Sequence, residues 1–507
     1  MLVYLNQRPM IIAAVGCVLT AVCGFYSVNL LILFICFSVC VLILSVVLRK
    51  VKTVVASGLI VIMGLVCLYT LKEISDLENF AGKEVTANII FTETEFKSSA
   101  YYRSRCEVIG DSVLPRGTKL TLWHEPADVD SGYIFEAKIS LKKIDEEYKA
   151  MNYSEEIYLC GNVKSLEKTD KYDGIMRAVD SVRQYIKRTL FGGMSFDSAS
   201  TMCAVAFGDK GYFSDEFYNN VKASGVAHVM VVSGMHLGVL VMLALYISEK
   251  FIFNPKLRAV IMYLVVIMLA SVCGFTMSIL RAGITYIIMG VGLLFNRYYT
   301  PENALGFAVV IILLTSPFAV FSVSFLLSVL STFGILAVAL PVCRYISEKR
   351  SKTPKFIRNI FNTAVISLSA MLLTLPVVIK VFGYVSTVAV VTNLLITFAV
   401  TLALSITVLA LAVSLLFPNI GKLILCVGDL VVRYVNFVIN FMGSLPFSAV
   451  RVPSYFTVFA VSLIFCVFWI LLACKKRNNM IKLKEINQKV IKERGSVKKW
   501  QSFLRKH

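Results

Sequence analysis

Apolar residues run almost unbroken over 10–26, 29–48 and 53–71, and each run reads as a membrane helix. The first two read as a tight pair. Arg49-Lys50-Val51-Lys52 after them marks a cytoplasmic turn, so the N-terminus starts inside and the third run leads out. From Lys72 to Thr169 the pattern shortens to alternating segments, and strands are expected at Glu84–Glu95, Tyr101–Ile109, Lys119–Trp123, Tyr133–Ile144 and Ile157–Leu166. Turn signals at Pro115-Arg116-Gly117 and Asp130-Ser131-Gly132 separate them. Five such strands suit an extracytoplasmic β-barrel of the OB type, although a small sandwich has the same spacing.

Residues 175–190 alternate apolar and basic positions at helical spacing, the pattern of a helix lying at the bilayer interface, and a short helix is expected at Ser198–Phe207. Further spans are expected at 226–247, 257–273, 275–295, 302–315, 319–341, 360–382, 386–417, 423–441 and 454–474. The fold class is therefore a polytopic α-helical membrane protein with a small β domain inserted after three N-terminal spans. Its expected parts are 1–71 (three helices), 72–172 (β domain), 173–207 (interfacial and short helices), 208–474 (membrane domain) and 475–507 (basic tail).

Composition supports this reading and removes one alternative. Of the 507 residues 57% are hydrophobic, an excess no soluble domain carries. The formal net charge of +20 suggests nucleic-acid binding until it is mapped. Residues 72–190 hold 18 Lys/Arg against 21 Asp/Glu, whereas 344–358 hold six basic residues against one acid and 475–507 hold twelve against two. That is the positive-inside pattern, which orients the chain with both termini in the cytoplasm and says little about ligand. Thirteen cysteines lie mostly within apolar runs. Cys106 and Cys160 fall in the polar segment, where a disulfide and two free thiols are both open.

The chemistry concentrates between Gly208 and Gly238: Gly208-Asp209-Lys210-Gly211, then His228, then Ser233-Gly234-Met235-His236-Leu237-Gly238. Polar groups inside a membrane segment are costly and so mark candidate sites, while a helix-packing seam is the plainer alternative. By span counting, Ser233, His236 and Arg281 share a depth on the outer half of the membrane, with Asp209 and Lys210 at the mouth above them. Asp429 and Arg433, four apart on one helix, read as a self-paired ion pair.

These residues resemble the ComEC competence family. The resemblance runs through Gly208-Asp209-Lys210, Ser214, the His228–Gly238 block, Ser278-Ile279-Leu280-Arg281-Ala282, Asn303-Ala304-Leu305, Ser316-Pro317 and Phe325-x-Leu327-Ser328. It is weaker at Phe382-Gly383 and Asn393-Leu394-Leu395. The chain departs from the family at Leu326, usually Gln, at Ser316-Pro317, usually Asp-Pro, and near Phe398, where a Pro is usual. Many members also carry a metallo-β-lactamase-like domain, which the sequence up to His507 lacks, so it reads as a short form. With only His124, His228, His236 and His507, no two-metal hydrolase site is expected, nor any cofactor.

The resemblance implies a channel for single-stranded DNA across the cytoplasmic membrane, lined by Asp209, Lys210, His228, Ser233, His236, Arg281, Asn303 and Ser328. Cations meet phosphates in such a groove, and Phe213, Phe275 and Phe325 are available for stacking, with core packing the plainer role for a phenylalanine. No phosphate-binding loop of the Gly-x4-Gly-Lys-Ser/Thr type occurs, so the driving force is expected from a cytosolic ATP-driven DNA translocase. An extracytoplasmic DNA receptor and a separate nuclease complete the implied partners, besides the lipid bilayer and a homo-oligomeric copy. Two other function classes stay open: a solute permease or membrane scaffold of a surface assembly, and an intramembrane hydrolase using Ser233, His236 and Asp209. A metal pair of His228 and His236 is poorly placed, because eight residues turn the helix by about 80°.

Overall fold

The computed structural model describes residues 8–452, apart from positions 49, 99–100, 111, 126–132, 172–174, 231, 253, 296–299 and 350–353. The expected span 454–474 and the basic tail lie outside the described residues. Three long helices open the chain: α1 (Pro9–Tyr26), α2 (Val28–Val47) and α3 (Val51–Glu78). Five strands follow, β1 (Glu84–Ser98), β2 (Tyr101–Val108), β3 (Lys119–His124), β4 (Tyr133–Lys143) and β5 (Ile157–Lys171), with the short helix α4 (Glu146–Tyr153) between the last two.

The strands close into a barrel in the order β1-β2-β3-β5-β4, with β4 pairing back onto β1 and β3–β5 the parallel contact. This settles barrel against sandwich. The period-2 pattern drives the closure: Val85, Ala87, Ile89 and Phe91 on β1, and Phe135, Ala137, Ile139 and Leu141 on β4, all point inward. Gly161 lets β5 cross β4 closely, since a Cβ there would stand 2.8 Å from the Ser140 carbonyl oxygen. The two thiols are both free. Cys106, buried on β2, pairs with Leu120 of β3, whose neighbour Thr121 pairs with Cys160 on β5. A whole strand separates them, so no disulfide can form.

The barrel stands on the membrane helices. Tyr153 donates to Glu78 at the end of α3 (3.1 Å), and Lys143 pairs with the same carboxylate at 2.7 Å. Phe318, from the membrane part, is fully buried in the barrel's own hydrophobic cluster, edge-on to Phe25.

Beyond the barrel come α5 (Ile175–Gly193), α6 (Phe196–Phe207), α7 (Asp215–Ala223), α8 (Gly234–Phe251), α9 (Pro255–Val272), α10 (Met277–Leu294) and α11 (Pro301–Thr315). A 3-10 turn (Pro317–Phe321) leads to α12 (Val323–Gly334), a π-turn (Ile335–Ala339) and α13 (Leu340–Lys349), then α14 (Lys355–Phe382), α15 (Ala389–Ser414) and α16 (Pro418–Gly443). Two short strands, β6 (Tyr384–Ser386) and β7 (Ala449–Arg451), pair across the ends of α14 and α16. Among the described residues eight helices are long and apolar enough to cross a membrane. α1 and α11 run side by side in the same direction: Arg8 pairs with Glu302 at 2.7 Å, and a Cβ on Gly306 would stand 2.6 Å from the Met10 carbonyl.

Two expectations are corrected. The span expected from 226 begins only at Gly234, because Gly225 turns at φ +76° and the described residues between 226 and 233 are irregular, with Val226, Val229, Met230 and Val232 buried. Irregular backbone at such a depth is tolerated when protein encloses it. Strict alternation of spans also fails around α5. Arg183 donates to the Val272 carbonyl at the end of α9 (2.6 Å), and Tyr185 reaches Ser414 at the end of α15 (2.6 Å). Span counting puts those ends on opposite faces, yet side chains two residues apart touch both. They lie closer together than the ~30 Å hydrocarbon core is thick. Hydropathy measures length and apolarity, and carries no direction for a hairpin packed on protein.

Candidate functional site

The α8 N-terminus is built by its own sequence. Ser233 is the N-cap in an extended conformation (φ −124°), and its backbone N–H donates to His236 Nδ1 at 3.1 Å. The imidazole thus reaches back over the first turn, as a Glu or Gln does in a capping box. His236 is buried, and its Nε2 has no hydrogen-bond partner among the described residues. Gly234 and Gly238 face α10. A Cβ on Gly234 would stand 2.8 Å from Arg281 Nη2, and one on Gly238 the same distance from the Tyr286 hydroxyl. The Gly-x3-Gly spacing therefore admits an arginine and a tyrosine against the backbone of α8.

Arg281, 9% exposed, projects between α8 and α12. Its Nε donates to Ser328 Oγ at 2.7 Å, and Ser328 in turn donates to Ser278 Oγ at 3.2 Å. A guanidinium carries directional donors in a planar fork, the chemistry that recognises a phosphate.

Asp209 and Lys210, the residues expected at a mouth, border this cluster. Gly208 closes α6 in the left-handed region (φ +83°), against Val232 of the buried loop, which brings Asp209 and Lys210 near Ser233 in the fold. Asp209 pairs with Lys187 of α5 at 2.6 Å and accepts from the Gly211 N–H at 3.0 Å. Burial pulls the Lys187 pKa down, but the hydrogen bond and charge of Asp209 outweigh it and leave it raised. The basic residues of α5 expected at the bilayer interface are thus partly turned inward: Lys187 holds Asp209, and Arg183 meets a helix C-terminal carbonyl, where a cation is favoured.

The predicted residues divide accordingly. Ser233, His236, Arg281 and Ser328 come together, Asp209 and Lys210 border them, and His228 sits exposed on the 226–233 loop. Asn303 does not join them. It lies at the start of α11, bonded to Thr300 (3.1 Å), beside Glu302 of the Arg8 pair and so at the far end of the helix from Ser316. Phe325 is core, and Phe213 packs edge-on to Phe217, whereas Phe275 is 52% exposed.

Asp429 and Arg433 do pair, at 2.8 Å, and Asp429 also accepts from the N–H and hydroxyl of Ser195 at the start of α6. The sequence reading passed over the rest of that seam. Asn436 accepts from Thr201, and Asn440 from Asn220. The spacing 429, 436, 440 was the available signal, since those positions recur on one face of an otherwise apolar helix.

Comparison with known proteins bears on the same region. The family model described as "Competence protein" matches residues 205–478, more than half of the chain. Among curated proteins, ComE operon protein 3 of Bacillus subtilis (strain 168) is 23% identical over 340 residues, covering 66% of this chain and 42% of that protein. The match thus spans less than half the length of that relative. No solved structure matches.

Proposed function

The chain belongs to the competence protein family, and from that premise we propose that its membrane domain passes single-stranded DNA across the cytoplasmic membrane during DNA uptake. The observation that carries the reading is Arg281, a buried cation amid serine hydroxyls where α8, α10 and α12 meet, inside the segment the family model matches. A buried arginine in an apolar helix bundle is expensive unless it meets water, a partner or an anion, and such residues mark ligand and ion pathways. In this reading the barrel faces outward, and the basic 344–358 loop and both termini face the cytosol, as their charge favours. Asp209, Lys210 and His228 form the mouth, and Ser233, His236, Arg281 and Ser328 form the constriction. The described helices offer no driving force of their own in this account. A cytosolic ATP-driven translocase pulls the strand, a receptor outside delivers it, a separate nuclease removes the complementary strand, and the channel works as one copy or as a homo-oligomer.

The hydrolase alternative finds little support in the geometry. Ser233 Oγ lies 3.4 Å from His236 Nδ1, a nitrogen already accepting from the Ser233 backbone N–H, and the Asp209 carboxylate is engaged by Lys187. In this reading the protein acts as a conduit, and Ser233 is assigned no covalent step. Deleting the gene and following labelled duplex DNA at the surface and in the cytosol separately tests the reading. The expected result is DNA that binds outside and never reaches the cytosol. Normal cytosolic DNA in the deletion overturns it and favours a permease or scaffold.

A further inference from the structure

Between the barrel and the membrane helices lies a cleft of about 380 Å³. Its size falls within the ~300–1,000 Å³ of small-ligand pockets. The barrel contributes Lys119, Glu155 and Glu156, and the membrane domain contributes Phe275, Met277 and Leu280 among its lining. One side is therefore charged and the other apolar.

Among the described residues, two other than glycine have positive φ: Glu156 at +63° and Phe275 at +55°. They belong to different domains and both line this cleft. Left-handed backbone is unfavourable for a bulky residue, and such positions gather where function needs them. The turn itself does not call for a ring. Gly274 (φ +75°) and the Phe275 N–H bond to the Ala270 carbonyl (2.8 Å) close α9, and a glycine at 275 would hold the same loop with less strain. Nor does the core call for it, since Phe275 is half exposed.

We propose that this cleft receives one nucleobase of a single-stranded nucleic acid, stacked on Phe275, with the sugar-phosphate chain left outside; the proposal rests on the DNA-channel reading. A base has two flat apolar faces and a polar edge, which matches the two kinds of wall. Phe275, Met277 and Leu280 meet the face. Carboxylates accept from exocyclic amino groups, as those of Glu155 and Glu156 would at the edge. Ser316, also in the lining, has a buried hydroxyl without a partner among the described residues. The same carboxylates repel phosphate. Lys119 does not reverse this, because it is held by Glu156 at 2.5 Å, as Arg105 is by Glu155 at 2.7 Å. The cleft would give the incoming strand its first ordered contact on the way to Arg281.

The test uses the full chain in nanodiscs of neutral lipid, with a fluorescent single-stranded oligodeoxycytidylate and an abasic oligomer of equal length. Phe275→Gly removes the ring while relieving the backbone. It is expected to weaken binding of the oligodeoxycytidylate about ten-fold and to leave the abasic oligomer unchanged. Phe275→Trp is expected to retain affinity. Undiminished binding by Phe275→Gly overturns the base-binding cleft while the channel reading stands. Equal loss on both oligomers also overturns it, since the ring then acts through the fold. Wild-type protein that holds neither oligomer overturns the cleft and the channel reading together.

Discussion

The barrel and the α8–α10–α12 junction place charged groups in opposite ways. In the barrel, apolar side chains alternate inward, and the charged groups pair on the outer surface, as Glu84 does with Lys138 and Lys164. At the junction an arginine and three serines lie inside, and the small residues Gly234 and Gly238 bring the helices together around them. Water solvates the barrel's charges at almost no cost, so they can vary without endangering the fold. Hydrocarbon solvates nothing, so the junction's polar groups must satisfy one another or serve a ligand. The barrel is therefore the part that sequence changes break by unfolding and, in the proposed channel, the junction is the part they break by stopping transport.

The largest effect that sharpens this contrast is expected in the barrel core. Leu122 is fully buried there, and Leu122→Ala should cost about 2–5 kcal/mol, lost side-chain transfer plus the cavity left behind. Trp123, next to it on β3, reports the loss by fluorescence during thermal or urea unfolding. Membrane insertion of the helices should persist. A stability change below about 1 kcal/mol would break the contrast.

At the junction the expected effects divide by size of side chain. Ser233→Ala should be mild, because the bond from the residue-233 N–H to His236 is made by backbone and survives. Ser233→Leu should abolish DNA uptake at normal protein level, because Gly234 already admits Arg281 closely beside it. Complete loss in a well-expressed Ser233→Ala variant would return weight to a nucleophilic serine.

The smallest effect concerns the barrel surface. Hydrogen bonds from Lys164 and Lys138 hold the Glu84 carboxyl below the usual range. A carboxyl lowered in the folded state stabilises above its unfolded pKa, and that contribution disappears as the pH falls through the folded value. Glu84→Gln should therefore lower the barrel's melting temperature slightly at pH 7, and the gap from wild type should close in acid. A gap that widens in acid would contradict the assignment.

How much of this was legible in the sequence follows from the same contrast. The starts of the five strands were readable to the residue, though β1 and β5 run on past their expected ends, because one-sided burial imprints a period of two on every strand, as along Val85, Ala87, Ile89 and Phe91. The first three helices were readable by length and apolarity. Depth and direction were not. Asn303 sits at the far end of its helix from the cluster it was grouped with, and α5 touches helix ends that span counting separates. An apolar run of given length is the same whether it crosses a bilayer or folds back upon protein. Partners distant in sequence, such as Lys187 for Asp209 and Ser328 for Arg281, leave no periodic trace at all. The His228–Gly238 block was legible only because polar residues and glycines stand out against apolar surroundings.

In the proposed channel the strand passes Arg281. Arg281→Ala and Arg281→Lys in the full chain, followed by labelled-DNA uptake with protein level and membrane insertion measured in parallel, test it most directly. The account predicts surface-bound DNA with none in the cytosol for Arg281→Ala, and partial uptake for Arg281→Lys, which keeps the charge without the planar fork. Normal cytosolic DNA in a well-inserted Arg281→Ala variant would contradict it.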